Sequence, residues 1–192
     1  MKKITPSKKD IEEYMKEDMG LARAILEAFS KLYIYDKHLI INKPKDIDNE
    51  DIGFHHVGER SIVFRFAFYL QQILYDRNIY CDYNLDCEYN RNGSKPKYIQ
   101  ELGKNVYPDL IIHKRGKNST KKETRNNLLI MEFKTHWNKS QKDDIKKIKA
   151  FINEQNGYNY TYGIAVLIDI NKVELKMYDK VENEFFYCQD FL

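Results

Sequence analysis

The chain has 192 residues, 42% hydrophobic and 32% charged, with 15 Tyr and 10 Phe supplying much of the apolar volume, which is ample for one substantial core and argues against a disordered chain. Lys and Arg number 32 against 29 Asp and Glu, so the formal charge of +3 announces no polyanion partner, and any basic surface must be local. No apolar run approaches the roughly 18 residues that span a bilayer, and the start Met1-Lys2-Lys3-Ile4-Thr5-Pro6 lacks a signal-peptide core, so the expectation is a cytoplasmic chain without a membrane partner.

In chain order, residues 7–33 read as helix: Ser7 can cap it, Asp10, Glu12 and Glu13 follow, and Ala22, Ile25, Leu26, Phe29, Leu32 and Tyr33 recur at helical spacing. Gly20 is a candidate break. Asp36 to Gly53, with Pro44, reads as a connecting loop. Residues 57–77 give the strongest helix signal, with Ile62, Val63, Phe64, Phe66, Ala67, Phe68, Leu70, Ile73 and Leu74 nearly encircling the axis, as a central helix would have them. Glu59 stands in its first turn, where a carboxylate stabilises the helix N-terminus by about 0.3–1 kcal/mol. It also shares a face with Val63, Phe66 and Leu70, which aims it toward the core or a cleft. Both readings stay open.

Residues 79–90 suggest a strand and 90–97, with Gly93 and Pro96, a turn. Two strands follow, Tyr107 to His113 and Leu128 to Thr135, joined by a Lys-, Arg- and Asn-rich connection. Both carry apolar residues on both faces, the mark of central strands covered on two sides, so helices must supply the cover. Ser140 begins another helix, with Ile145, Ile148, Phe151 and Ile152 on one face, Lys142, Lys146 and Lys149 on another, and an end near Gly157. Tyr162 to Ile170, Val173 to Tyr178 and Glu184 to Tyr187 read as strands, with Asn171-Lys172 as a hairpin turn. The expected fold class is α/β, one domain over 1–192, with 1–53 as an N-terminal helical extension and loop and 54–192 as the core.

The two central strands carry charge where a core strand should not. Alternation sets Asp109 on one face with Ile111 and His113, and Glu132 and Lys134 on one face with Leu128 and Ile130. Such charges cost several kcal/mol unless something pairs them. If the strands are neighbours, the carboxylates meet at one end and offer the hard oxygens that magnesium or manganese prefers. Lys134 would place an ammonium beside the cation, where it can orient a water and offset phosphate charge. That is a phosphodiester-cleaving constellation.

These residues resemble the PD-(D/E)xK nuclease superfamily: Pro108-Asp109 matches its first motif element and Glu132-Phe133-Lys134 its second. The resemblance covers about residues 55–170. It implies a restriction-endonuclease-like core, a mixed central sheet flanked by helices. It also implies that Asp109 and Glu132, with the backbone carbonyl of Phe133, hold a Mg2+ or Mn2+ ion, that Glu59 completes the site, and that Lys134 assists the nucleophilic water. The implied activity is hydrolysis of nucleic acid, DNA being the favoured polymer, and a homodimer is compatible with it. The alternative is an inactive copy of the fold that binds nucleic acid or protein.

A second Glu-x-Lys, Glu174-Leu175-Lys176 with Asp169 upstream, serves as an internal control. Val173, Leu175 and Met177 put its apolar side opposite the charges, which can then stay in water. Among lesser candidates, Lys114, Arg115, Lys117, Lys121, Lys122 and Arg125 form either a phosphate-contacting run or a solvated loop. His113 is structural or a phosphate contact, His55-His56 precede Glu59, and Glu88 and Arg91 flank the site if their strand neighbours the Asp109 strand. Cys81, Cys87 and Cys188, an odd number without CxxC spacing, read as ordinary reduced residues.

Overall fold

A strand that buries side chains on both faces needs a partner on each edge and a layer on each side, and the strand carrying Glu132 has all four. The computed structural model describes residues 9–41, 57–116, 125–138, 140–153 and 158–191. Its helices are α1 (Lys9–Tyr14), α2 (Met19–Tyr35), α3 (Glu59–Asp76) and α4 (Lys142–Ile152). The main strands are β1 (Asn84–Cys87), β6 (Leu110–His113), β7 (Asn127–Thr135), β8 (Tyr162–Asp169), β9 (Lys172–Asp179) and β10 (Glu184–Phe191); short pairs β2 (Arg91–Asn92) with β3 (Lys95–Pro96) and β4 (Tyr98–Ile99) with β5 (Lys104–Asn105) intervene. The six main strands form one sheet in the order β1-β6-β7-β8-β9-β10. All neighbours are antiparallel except β7 and β8, which run parallel and are joined through α4, as a parallel pair requires a crossover. The class is α/β with a mixed sheet flanked by helices.

The two faces carry two cores. On one, Leu110, Ile112, Leu129, Met131 and Phe133 pack with α2 and α3. Phe29 of α2 and Phe66 of α3 lie 4.3 Å apart between ring centroids, and Phe66 lies 5.2 Å from Phe133 of β7. The N-terminal helices therefore belong to this core, and "extension" describes their place in sequence alone. On the other face Ile111, Ile130 and Ala165 pack beneath Ile148, Phe151 and Ile152 of α4. Gly163 on β8 sits directly under that helix: a Cβ there would meet Ile152 Cδ1 at 2.3 Å and Ile148 Cγ2 at 2.5 Å.

Several boundaries differ from the sequence reading. The N-terminal helical pattern breaks at a 3-10 turn over Lys16–Asp18, and Gly20 lies inside α2. The helix expected to be apolar all round exposes Phe64 (62%) and Phe68 (50%), because α2 and the sheet cover one side of it. The β8–β9 hairpin turns at Ile170-Asn171, since Asp169 already pairs with Lys172. The β4–β5 pair was not expected. Ser7, Pro44, Gly157 and most of the Lys/Asn-rich connection (117–124) lie outside the described residues. No helix among the described residues is long and apolar enough to cross a membrane.

Candidate active site

The antiparallel register Leu110↔Met131 brings Asp109, one residue before β6, level with Glu132 on β7. Pro108 precedes it without a backbone N–H to donate. The Asp109 carboxylate extends the pairing in place of the backbone, its Oδ2 accepting from the Phe133 N–H at 2.7 Å. At the start of α3, Gly58 gives no side-chain cap, and Glu59 stands in the first turn, where the helix dipole favours a carboxylate. Its Oε1 accepts from Lys134 Nζ at 2.9 Å, so the first turn of α3 does meet the end of β7.

Helix α4 completes the cluster. Glu132 is 1% exposed, and its Oε2 accepts from Lys147 Nζ. Asp144 lies 3.3 Å from Lys134 Nζ through Oδ2 and 3.5 Å from Lys147 Nζ through Oδ1. Lys134 Nζ also donates to the Phe133 carbonyl at 3.0 Å. Glu59, Glu132 and Asp144 thus share two ammonium groups, and with Asp109 beside them the four carboxylates carry an excess of two negative charges over the two lysines when all are ionised. Burial governs the titration of three of these carboxylates. Burial raises the Glu132 carboxyl well above its ordinary range, and the charge of Asp109 adds to it against the pull of Lys147. Burial likewise raises Asp109 and Glu59, against the Phe133 N–H in one case and Lys134 in the other. Burial pulls Lys134 and Lys147 down, but their carboxylate partners outweigh it and both sit above the usual lysine value.

The cluster opens onto a cleft of about 580 Å³ lined by Glu59, Asp109 and Lys147 and bounded by Arg60, Glu88 and Lys104 to Tyr107. Glu88 follows β1 with φ at 50°, a left-handed conformation uncommon for a residue with a side chain, and pairs with Arg60 across the cleft at 2.5 Å. The donor set fits a small divalent cation in three respects. Its donors are carboxylate and carbonyl oxygens, its charge excess is two, and the buried oxygens Glu132 Oε1 and Glu59 Oε2 accept no hydrogen bond. Among the described residues, no three acidic, His or Cys side chains stand together as a formed cation site. Lys134 and Lys147 hold Glu59, Asp144 and Glu132 instead, and the Phe133 N–H holds Asp109.

Asp109, Glu132, Phe133, Lys134 and Glu59 are therefore brought together. The basic residues are not. Lys114 pairs with Asp82, Arg115 with Asp86 and Arg125 with Asp18, and Lys114 and Arg115 follow the end of β6 opposite Asp109, Lys114 being about 17 Å along the chain at the rise of a strand. Lys117, Lys121, Lys122, His55 and His56 lie outside the described residues. His113 is buried at that far end, 2.9 Å from Asp86 and against the Tyr89 ring. Arg91 is exposed on β2. Cys81 and Cys87 are free and exposed, and burial of its sulfur with the neighbouring acids pushes the Cys87 thiol up to about 11, which makes it a poor nucleophile.

Sequence reasoning missed Asp144 and Lys147. The signal was there: Asp144, Ile148 and Phe151 follow helical spacing, and Lys147 stands four residues before Phe151, so both charges share the apolar face by the same test applied to Glu59. Comparison of the chain with protein-family models, with curated proteins and with solved structures finds no match in any of the three.

Proposed function

We propose that the chain is a magnesium- or manganese-dependent nuclease that hydrolyses phosphodiester bonds of nucleic acid, DNA being the favoured polymer, on a restriction-endonuclease-like core in the cytoplasm. The element order supports that core: a helix, antiparallel β1, β6 and β7, then α4 and a strand parallel to β7. The observation that carries the reading is the convergence of Asp109, Glu132, Glu59 and Lys134, with Asp109 and Glu59 lining an open cleft and buried oxygens of Glu132 and Glu59 left unsatisfied.

Asp109, Glu132 and the Phe133 carbonyl are the groups that would hold the cation, with Glu59 in support. A divalent cation bound there lowers the pKa of water and neutralises phosphate oxygens. Lys134 commits two of its three N–H groups to Glu59 and the Phe133 carbonyl, with Asp144 3.3 Å away, so its ammonium is held in place while one N–H is left to orient an attacking water or meet a phosphoryl oxygen. In the reaction the water oxygen bonds to phosphorus, one P–O ester bond breaks, the water gives up a proton to solvent, and the departing oxygen takes one up.

Purified protein should nick or degrade plasmid, single-stranded DNA or RNA when magnesium or manganese is present, and EDTA should stop it. Lys134→Ala should lower the rate by roughly 10²- to 10⁴-fold. A wild-type rate in that variant would rule the mechanism out.

The hold of Lys147 on Glu132 favours a second reading, in which the cluster is a closed ion-pair network and the fold serves as a non-catalytic scaffold binding nucleic acid or protein. It predicts binding that ignores EDTA and survives Asp109→Asn, with no cleavage of any of the three substrates.

A further inference from the structure

The two lysines of the cluster are held differently. Lys134 Nζ donates to the Glu59 carboxylate and the Phe133 carbonyl and forms an ion pair with Asp144 Oδ2 at 3.3 Å, and its side chain does not line the cleft. Lys147 Nζ donates to Glu132 Oε2 and forms an ion pair with Asp144 Oδ1, one helical turn before it, at 3.5 Å, and it does line the cleft. Glu132 is fully enclosed, so its charge needs a counter-charge, and Lys147 is the ammonium that supplies it.

We propose that Lys147 is a displaceable counter-ion: it holds Glu132 while the site is free of cation, and yields Glu132 to a divalent cation by swinging toward the cleft. The proposal rests on the cation-site reading above. Exchanging one positive charge for two at Glu132 meets the excess of two negative charges in the cluster more fully than the lysines do. Lys147 can leave without being stranded, because its four-carbon stem is flexible and Asp144 on its own helix remains within reach. Its path ends beside Asp109 at the cleft wall, where a released ammonium would meet an anionic substrate. Lys134, fixed on three sides, has no comparable route.

The test uses the full chain and Mn2+ alone. By calorimetry or manganese paramagnetic resonance, Lys147→Met and Lys147→Gln should bind Mn2+ roughly 10- to 100-fold more tightly than wild type, the worth of one charged hydrogen bond no longer competing. Lys142→Met, exposed on the same helix, should bind as wild type does. Because removing Lys147 can unfold the protein, amine-reactive labelling of the wild type, read by mass spectrometry, gives an independent measure. Mn2+ should increase modification of Lys147 and leave Lys134 unchanged. Unaltered Mn2+ affinity in folded Lys147 variants, or Lys147 labelling indifferent to saturating Mn2+, would overturn the displacement while leaving the nuclease reading in place. Failure of wild type and variants alike to bind millimolar Mn2+ would overturn both.

Discussion

Glu132-Phe133-Lys134 on β7 and Glu174-Leu175-Lys176 on β9 lie on the same face of the sheet. Across β8, Glu132 aligns with Ala165 and Ala165 with Lys176, while Lys134 aligns with Leu167 and Leu167 with Glu174. Strand partners share a face, so the direction of the side chains does not separate the two tripeptides. Cover does. Helix α4 packs on β7 and β8, sealing Glu132 and bringing Asp144 and Lys147 to it, and α3 brings Glu59. Glu174 keeps 29% of its side chain exposed and pairs with Lys172, 30% exposed, in a surface arrangement. The same three-residue pattern is a site where α4 closes over it and the first turn of α3 reaches it, and an ordinary charged strand where neither does.

Activity should break the comparison most sharply. Glu132→Gln should lower cleavage by about 10²- to 10⁴-fold, as for Lys134→Ala, whereas Glu174→Gln and Lys176→Ala should stay within about twofold of wild type in the same assay. Equal losses in both strands would remove the basis for placing the site on β7.

Stability should separate them next. Denaturant titration of a double-mutant cycle on Glu132 and Lys147 should show Lys147→Met costing about 3–5 kcal/mol, because it strands the enclosed Glu132, Glu132→Gln costing less, because Lys147 keeps Asp144, and the double change costing less than their sum. The same cycle on Glu174 and Lys172 should give about 0.2–1 kcal/mol. Similar coupling in the two pairs would mean that α4 does not seal β7 as described.

The smallest effect concerns pH. Glu132, Asp109 and Glu59 have raised carboxyl pKa values, so their folded forms hold protons more tightly than the unfolded chain does. Their contribution to stability is full below the ordinary carboxyl range and is lost as pH rises through the raised values. A divalent cation binds the ionised forms, so the increase in melting temperature on adding Mg2+ should be greater at pH 8 than at pH 5, by about 5 °C or more at saturation. An increase independent of pH would place the cation elsewhere.

Much of this arrangement was legible in the sequence. Apolar residues on both faces of 107–113 and 128–135 announced central strands, and Glu59 sharing a face with Val63 and Phe66 pointed it inward; the sheet pairs those strands, and Lys134 meets Glu59. The contribution of α4 was not read, because Lys147 was hidden among Lys142, Lys146 and Lys149, and a run of lysines reads as one surface until helical phase is assigned to each. The ion-pair partners of the basic residues after β6 were hidden for a related reason. Sequence counts their charges, but Asp82, Asp86 and Asp18, the acids that pair with them, come from distant segments. The β4–β5 pair that bounds the cleft has strands of two residues each, too short for alternation to mark.

Gly163 gives the site one more determinant, the thickness of a layer. The missing methyl lets Ile148 and Ile152 settle onto β8, and the same helix carries Asp144 and Lys147 down to Glu132. The height of α4 above the sheet therefore sets how firmly the lysine grips the glutamate. A side chain at position 163 would act as a shim, lifting the helix and loosening that grip without touching a charged residue, so the acidity of the site is adjustable from its packing alone.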